Sequence, residues 1–179
     1  VLFLRARDIP QFVAAGTVDA GITGLDTVEE AGMQIERRLD LAFGACRLVL
    51  AVPQSKHWAG PHDIPNDSRI ATSFPRLTQQ YFDEAHKPVR IVVVSGACEV
   101  TPTLGVADAI TDLTQTVSTL ATNHLREVDV ILRSTAWLIA SPSLAGKPKE
   151  ELERLQFALE SVLAARGKRY LMADLPREA

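Results

Sequence analysis

Residues 69–94, RIATSFPRLTQQYFDEAHKPVRIVVV, hold the pattern from which the architecture is read. The run 69–72 is short and apolar, and the turn Ser73-Phe74-Pro75 stops it. Pro75 suits the first position of a helix, where a missing N–H costs nothing. Leu77, Tyr81 and Ala85 then share one face at helical spacing as far as His86. Residues 89–94 are again apolar and too short for a helix, so they read as a strand. Strand, helix and strand in succession make a βαβ unit with its two strands parallel in one sheet.

The chain on either side repeats this grammar. Residues 1–5, VLFLR, are expected to form a buried strand, with Asp8 capping a short helix that bears Ile9, Phe12 and Val13 and ends at Gly16. Residues 19–23, DAGIT, read as a second strand, followed by a helix through Val28 and Glu30 that Gly32 closes. That alternation again implies a parallel sheet. Residues 46–52, CRLVLAV, are a strongly apolar strand, and residues 53–68, rich in Pro, His, Asp and Asn without any period, read as a surface crossing into a second lobe. Residues 127–141, EVDVILRSTAWLIAS, suffice for two successive strands, or for one that returns across the lobe boundary. Residues 148–166 are an amphipathic helix expected on the first lobe, with Leu152, Leu155, Leu159, Val162 and Leu163 at steps of three and four. Residues 168–173, KRYLMA, can begin one more strand. The expected class is α/β with mixed or parallel sheets, lobe I being residues 1–53 with 137–167 and lobe II residues 54–136.

Composition narrows the function. With 46% of 179 residues hydrophobic, the chain can bury a substantial core. A net charge of −3, with Lys and Arg scattered, provides no basic stripe for nucleic acid or an anionic membrane. No apolar run approaches the roughly 20 residues of a membrane span. Cys46 and Cys98 lack metal-ligand spacing, which suits a reducing cytosol, and a cytoplasmic location is expected. His57 and His62 have no partnering acids or thiols at ligand spacing and are expected to be solvated loop residues. Val1 opens directly in a strand-like run, so we expect a natural N-terminus upstream of it.

Chemistry concentrates in residues 105–125, GVADAITDLTQTVSTLATNHL, where a short strand carrying Asp108 and Asp112 enters a Thr/Ser-rich turn before a helical turn. A turn opening a helix aims several unpaired N–H groups one way and suits phosphate. Hydroxyls of Thr116, Ser118 and Thr119 can add donors, and the two acids can hold ribose hydroxyls or a phosphate-bound Mg²⁺. The same residues also describe an ordinary polar turn capped by its own hydroxyls. Ligands of parallel α/β sheets gather beyond the carboxyl ends of the strands. The turn 21–26, GITGLD, is therefore a second candidate wall, or simply a tight turn, and Glu99 lies either at the cleft or in water.

Five ordered segments, RARDIPQFVAAGTVDAGITGLD, FGACRLVLAVP, RIATSFPRLTQQYF, SGACEVTPTLGVADAITDLTQTVSTL and LREVDVILRSTAWLIA, together resemble ATP phosphoribosyltransferase, the first enzyme of histidine biosynthesis, over nearly the whole chain. The resemblance implies two lobes similar to the type II periplasmic-binding-protein fold with an active-site cleft between them. It implies transfer of phosphoribosyl from phosphoribosyl pyrophosphate (PRPP) to N1 of ATP with Mg²⁺, in a homo-oligomer that is a dimer or hexamer. By position, Asp108 and Asp112 would be catalytic and face ribose and metal, while Thr116, Val117, Ser118, Thr119 and Leu120 would form the PRPP loop. Glu99, Asp26, Arg47 and Thr72 with Pro75 would line the nucleotide side of the cleft. Residues 168–179 look like the start of the C-terminal histidine-binding domain of the family's long form, through which histidine would inhibit.

Two positions depart from the family pattern. Val117 stands where the loop normally has Gly, and His124 where Asn-Gly-Leu is usual. A β-branched residue resists positive φ and adds bulk beside a phosphate. The alternative is a non-catalytic homologue that binds nucleotide or PRPP, or regulates an intact paralogue.

Overall fold

Two sheets of different construction are threaded by one chain. The structure, a computed structural model, describes residues 1–115, 118–169 and 172, with only the backbone of Ser118 and Thr119. In chain order its elements are α1 (Ile9–Ala14), β1 (Ala20–Gly24), α2 (Leu25–Ala31), β2 (Glu36–Asp40), β3 (Cys46–Pro53), β4 (Arg69–Thr72), α3 (Pro75–Glu84), β5 (Arg90–Val93), β6 (Ala109–Thr114), α4 (Ser118–Thr122), β7 (Leu125–Ser134), β8 (Ala136–Ala140) and α5 (Gly146–Ala165). Short 3-10 turns at Pro61–Asp63 and Cys98–Val100 complete the list.

The second lobe is a five-stranded sheet in the order β5-β4-β6-β3-β7. Strand β4 runs parallel to β5 and β6, as the βαβ reading of residues 69–94 expects, and β3 runs antiparallel to both β6 and β7. The sheet is mixed, and β4, β5, β6 and β7 all point the same way.

The first lobe corrects an expectation. Its sheet has the order β1-β8-β2 with both pairings antiparallel, so β1 and β2 never meet. Strand β8 arrives from the far end of the chain and inserts between them, which no local alternation of strand and helix can announce. The run 127–141 does divide into two strands, one for each lobe.

The lobe boundary also moves. Strand β3, expected in lobe I, is an inner strand of the other sheet, and Leu48, Val49, Leu50 and Val52 are 0% exposed there. Such a continuous apolar run needs cover on both faces, and it has it: Val49 and Ala51 pack with Cys98, Ala107 and Leu120 on one side, Leu50 and Val52 with Ile64 and Phe82 on the other, while β6 and β7 satisfy its edges. The crossings are residues 41–45 and Thr135, and residues 53–68 stay within the second lobe.

Residues 1–5 do not form the expected strand. Val1, Leu2 and Phe3 are exposed, and no described strand pairs with them. An apolar run becomes a strand only against a neighbour. Helix α1 forms as read, burying Val13 and ending before Gly16 at φ +68°, but Asp8 makes no side-chain cap. Helix α5 packs on the first lobe, Leu152 joining Leu138 and Ala140, while Leu155 and Val162 stay exposed. Most of residues 168–179, with the strand expected there, lies outside the described residues.

Candidate active site

Because β4, β6 and β7 share a direction and β3 opposes them, the carboxyl ends of β4, β6 and β7 meet the start of β3. Thr72, Thr114, Ser134 and Cys46 mark that end. The first lobe faces it with Arg7 and with the junction of β1 and α2. The Arg7 guanidinium lies 5.2 Å from the centre of the Phe74 ring, and Leu25 N–H donates to the Thr135 carbonyl at 2.9 Å.

Asp112 sits near this end of β6, half-buried and opposite Val49. Burial raises its pKa above the ordinary carboxylate value; the Leu113 N–H it accepts at 2.8 Å opposes this, Glu99 adds to the rise, and Arg7 lowers it. Asp112 thus feels a second carboxylate and a guanidinium from two other segments of the chain. Glu99 is delivered there by the turn Cys98–Val100, entered through Ala97 at φ 53°. Beside it the Cys98 thiol is pushed up to about 11 by burial and by Asp112, against an opposing hydrogen bond to Ser73. Cys98 is therefore a protonated core group with no nucleophilic role at neutral pH.

The cleft turn 72–75 is held from beneath. The Thr72, Thr78 and Thr111 hydroxyls, each 0% exposed, lie 2.5 to 3.1 Å from one another. Thr72 Oγ1 also accepts the Phe74 N–H at 2.9 Å, and Thr78 donates to the Phe74 carbonyl at 2.7 Å. Thr72 is fully engaged, so it shapes the turn without presenting its hydroxyl to a ligand. Buried hydroxyls are costly unless paired, which makes this trio specify one geometry.

Other expected residues are placed as follows. Asp26 is buried, its carboxylate accepting from Ser134 Oγ and Thr27 Oγ1 while its N–H donates to Ser134 Oγ at 3.0 Å; it clasps the two lobes beside their crossing. Arg47 pairs with Glu127 across to β7 at 2.9 Å. Pro75 begins α3. Leu120 buries its side chain in the core with Val49 and Ile110, so only its backbone can serve a loop. Thr116 and Val117, the centre of the expected PRPP loop, lie outside the described residues, as do the side chains of Ser118 and Thr119; the backbone opens α4 at Ser118.

Asp108 is elsewhere. It precedes β6 at the opposite end of the sheet, where its carboxylate accepts from Arg69 N–H at 2.8 Å, Nε at 3.2 Å and Nη2 at 3.0 Å. Arg69 holds its pKa below the usual carboxylate range. With Lys56, Gly105 and His124 it borders a cavity of about 600 Å³. Four residues of extended chain span on the order of 13 Å, so Asp108 and Asp112 cannot ligate one Mg²⁺ together. The metal site expected of the two acids together, which the resemblance also implied, is corrected on that ground. Among the described residues no group of three or more His, Cys, Asp or Glu gathers as a metal site, and His57 and His62 belong to none.

Sequence reasoning missed Arg7, Ser134 and the Thr78–Thr111 pair. Only the paired arginines of RARD hinted at the first. The others are ordinary residues whose roles arise from contacts across the fold.

The family model described as HisG, ATP phosphoribosyltransferase, matches residues 5–161. An ATP phosphoribosyltransferase of Gemmatimonas aurantiaca is 48% identical over 99% of this chain and 63% of its own length. One from Methanosarcina mazei is 43% identical over 100% of this chain and 61% of its own. The chain thus spans 61 to 63% of the length of these relatives. Among solved structures, the ATP phosphoribosyl transferase (HisG:HisZ) complex from Thermotoga maritima superposes with a TM-score of 0.81 at 28% identity, covering 90% of this chain and 78% of that one. A putative L-cystine ABC transporter protein of Listeria monocytogenes, 17% identical with a TM-score of 0.61 over 87% of this chain and 70% of that one, shares the fold alone.

Proposed function

The chain belongs to the ATP phosphoribosyltransferase family, and on that premise we propose that it carries the transfer of phosphoribosyl from PRPP to N1 of ATP, the first step of histidine biosynthesis. The observation that supports this most directly is the half-buried carboxylate of Asp112 near the carboxyl end of β6, within electrostatic reach of Glu99 and Arg7.

In this reading the bond from the anomeric carbon to pyrophosphate breaks as the adenine N1 lone pair forms the new C–N bond. The ribose passes through an oxocarbenium-like state, so catalysis rests on alignment and electrostatics without a protein nucleophile. Asp112 and Glu99 receive ribose hydroxyls or bind Mg²⁺, which needs only one or two carboxylates when substrate phosphates complete its shell. When bound, the ion supplies positive charge to the departing pyrophosphate. Arg7 brings a fixed cation to the phosphates from the other lobe. Residues 116–120 hold the 5′-phosphate, a role supported by their position directly after β6. Asp26 and Arg47 act at the cleft wall by holding Ser134 and β7 in place, and Asp108 is assigned a supporting role.

We place the protein in the cytoplasm, as an oligomer. No described helix is long and apolar enough to cross a membrane. The Thermotoga relative is described as a HisG:HisZ complex, which supports assembly with copies of itself or with a partner subunit. Histidine inhibition belongs to the same proposal. The non-catalytic alternative rests on Val117, which is outside the described residues. Incubating the protein at its native length with ATP, PRPP and Mg²⁺ and following phosphoribosyl-ATP by absorbance tests the assignment. Absence of product above a no-enzyme control overturns it.

A further inference from the structure

Helix α3 lacks acceptors of its own for part of its first turn. Phe74 occupies the N-cap with no side-chain acceptor, and Pro75 has no N–H to donate. The Phe74 N–H is taken by Thr72 within the lobe. The next two donors leave the lobe altogether: Arg76 N–H goes to Glu30 Oε1 at 2.9 Å and Leu77 N–H to Glu30 Oε2 at 3.0 Å. Beside them Arg76 Nη1 donates to the Glu29 carbonyl at 2.6 Å. Its guanidinium lies against Gly32, where an added Cβ would collide with it and where φ of +62° already favours glycine.

We infer that Glu30 is a positioning residue for the cleft: as the cross-lobe cap of α3 it holds the lobes closed and seats the 72–75 turn. The contact is placed to do this. Asp26 and Ser134 adjoin the crossing at Thr135, so they barely separate when the lobes swing. Glu30 instead grips α3, which follows β4, and β6 stands between β4 and the crossing strand β3. That offset is about 10 Å at the usual strand spacing. Opening strips both N–H groups of their carboxylate. It also frees the turn that carries Phe74 and, through it, the Arg7 contact.

The kinetic part of the test rests on the transferase reading, whereas the scattering part does not. If ligands engage the closed form, apparent affinity falls by the fraction of molecules still closed, at unchanged turnover when saturated. Loss of a helix cap of ordinary strength predicts that Glu30→Ala raises KM for both ATP and PRPP about two- to fourfold. The value of kcat stays near wild type. Glu30→Gln, with one acceptor oxygen, falls between, and Glu30→Asp, one methylene short, behaves like the alanine variant. Glu29→Ala removes the ion pair to Arg37 but keeps its carbonyl, and leaves KM unchanged. Small-angle scattering without ligands shows a larger radius of gyration for Glu30→Ala, restored by saturating PRPP with ATP. Unchanged KM and radius, or a fall in kcat at constant KM with a lower Tm, overturns the inference. Should the wild type show no turnover, the transferase reading fails while the unliganded scattering comparison still decides the latch.

Discussion

Strand β6 has one Asp just before its start and another near its end, with opposite consequences. At its start Asp108 accepts three hydrogen bonds from Arg69, and its pKa is depressed. Near its other end Asp112 is half-buried, has only the Leu113 N–H as a described partner, lies near Glu99, and its pKa is raised. A carboxylate with its own cation has its charge spent on the fold. One held against its solvation beside a second acid keeps charge available to a ligand, which is how sites differ from ion pairs. On the proposed reading, an Asp at a motif position is insufficient to define a site, and its partners at that end of the strand decide.

The strongest way to break this comparison is Asp112→Asn. We expect kcat/KM to fall about 100-fold or more, the scale of losing one preorganised electrostatic group. Its pKa is raised on folding, so its stability contribution is present at low pH and is lost as pH rises through the folded value. The asparagine variant therefore has an unchanged or higher Tm than wild type at pH 7, converging or reversing at acidic pH. A Tm several degrees lower at pH 7 would show Asp112 to be structural.

Next comes the layer between the two ends. Thr111→Val keeps shape but removes one of three buried hydroxyls, and is expected to cost about 1–3 kcal/mol by urea denaturation. A cost within error would mean that the trio does not seat the 72–75 turn.

The smallest effect is expected at Asp108. Asp108→Asn should leave kcat/KM unchanged and lower Tm slightly at neutral pH. Because the folded pKa is depressed, this stability is present above the ordinary carboxylate pKa of about 3.9 and is lost as pH falls through the folded value. The Tm difference from wild type should accordingly vanish in acid. A large activity loss in this variant would erase the distinction between the two ends.

Much of the second lobe could be read directly. Pro75, the spacing of Leu77 and Tyr81, and the apolar runs on either side specify β4, α3 and β5 through interactions a few residues long. The candidate site was readable in part: Asp112 and Glu99 stand out because acids at strand ends mark clefts. Asp108 looked equivalent because its Arg69 partner lies on another strand, and Arg7 was missed because its place over Phe74 spans both lobes.

What residue order settles by itself is therefore local and cumulative. Proline and glycine punctuation, apolar period and the succession of motifs determine most of the elements and the family. Only the tertiary structure decided that β8 separates β1 from β2, that β3 joins the second sheet, that Glu30 caps a helix of the other lobe, and that Asp108 meets Arg69 while Asp112 does not. Each of these depends on which distant partner satisfies a backbone group or charge. That choice is made by closing long loops and burying surfaces together, and it leaves no trace in any short window of sequence.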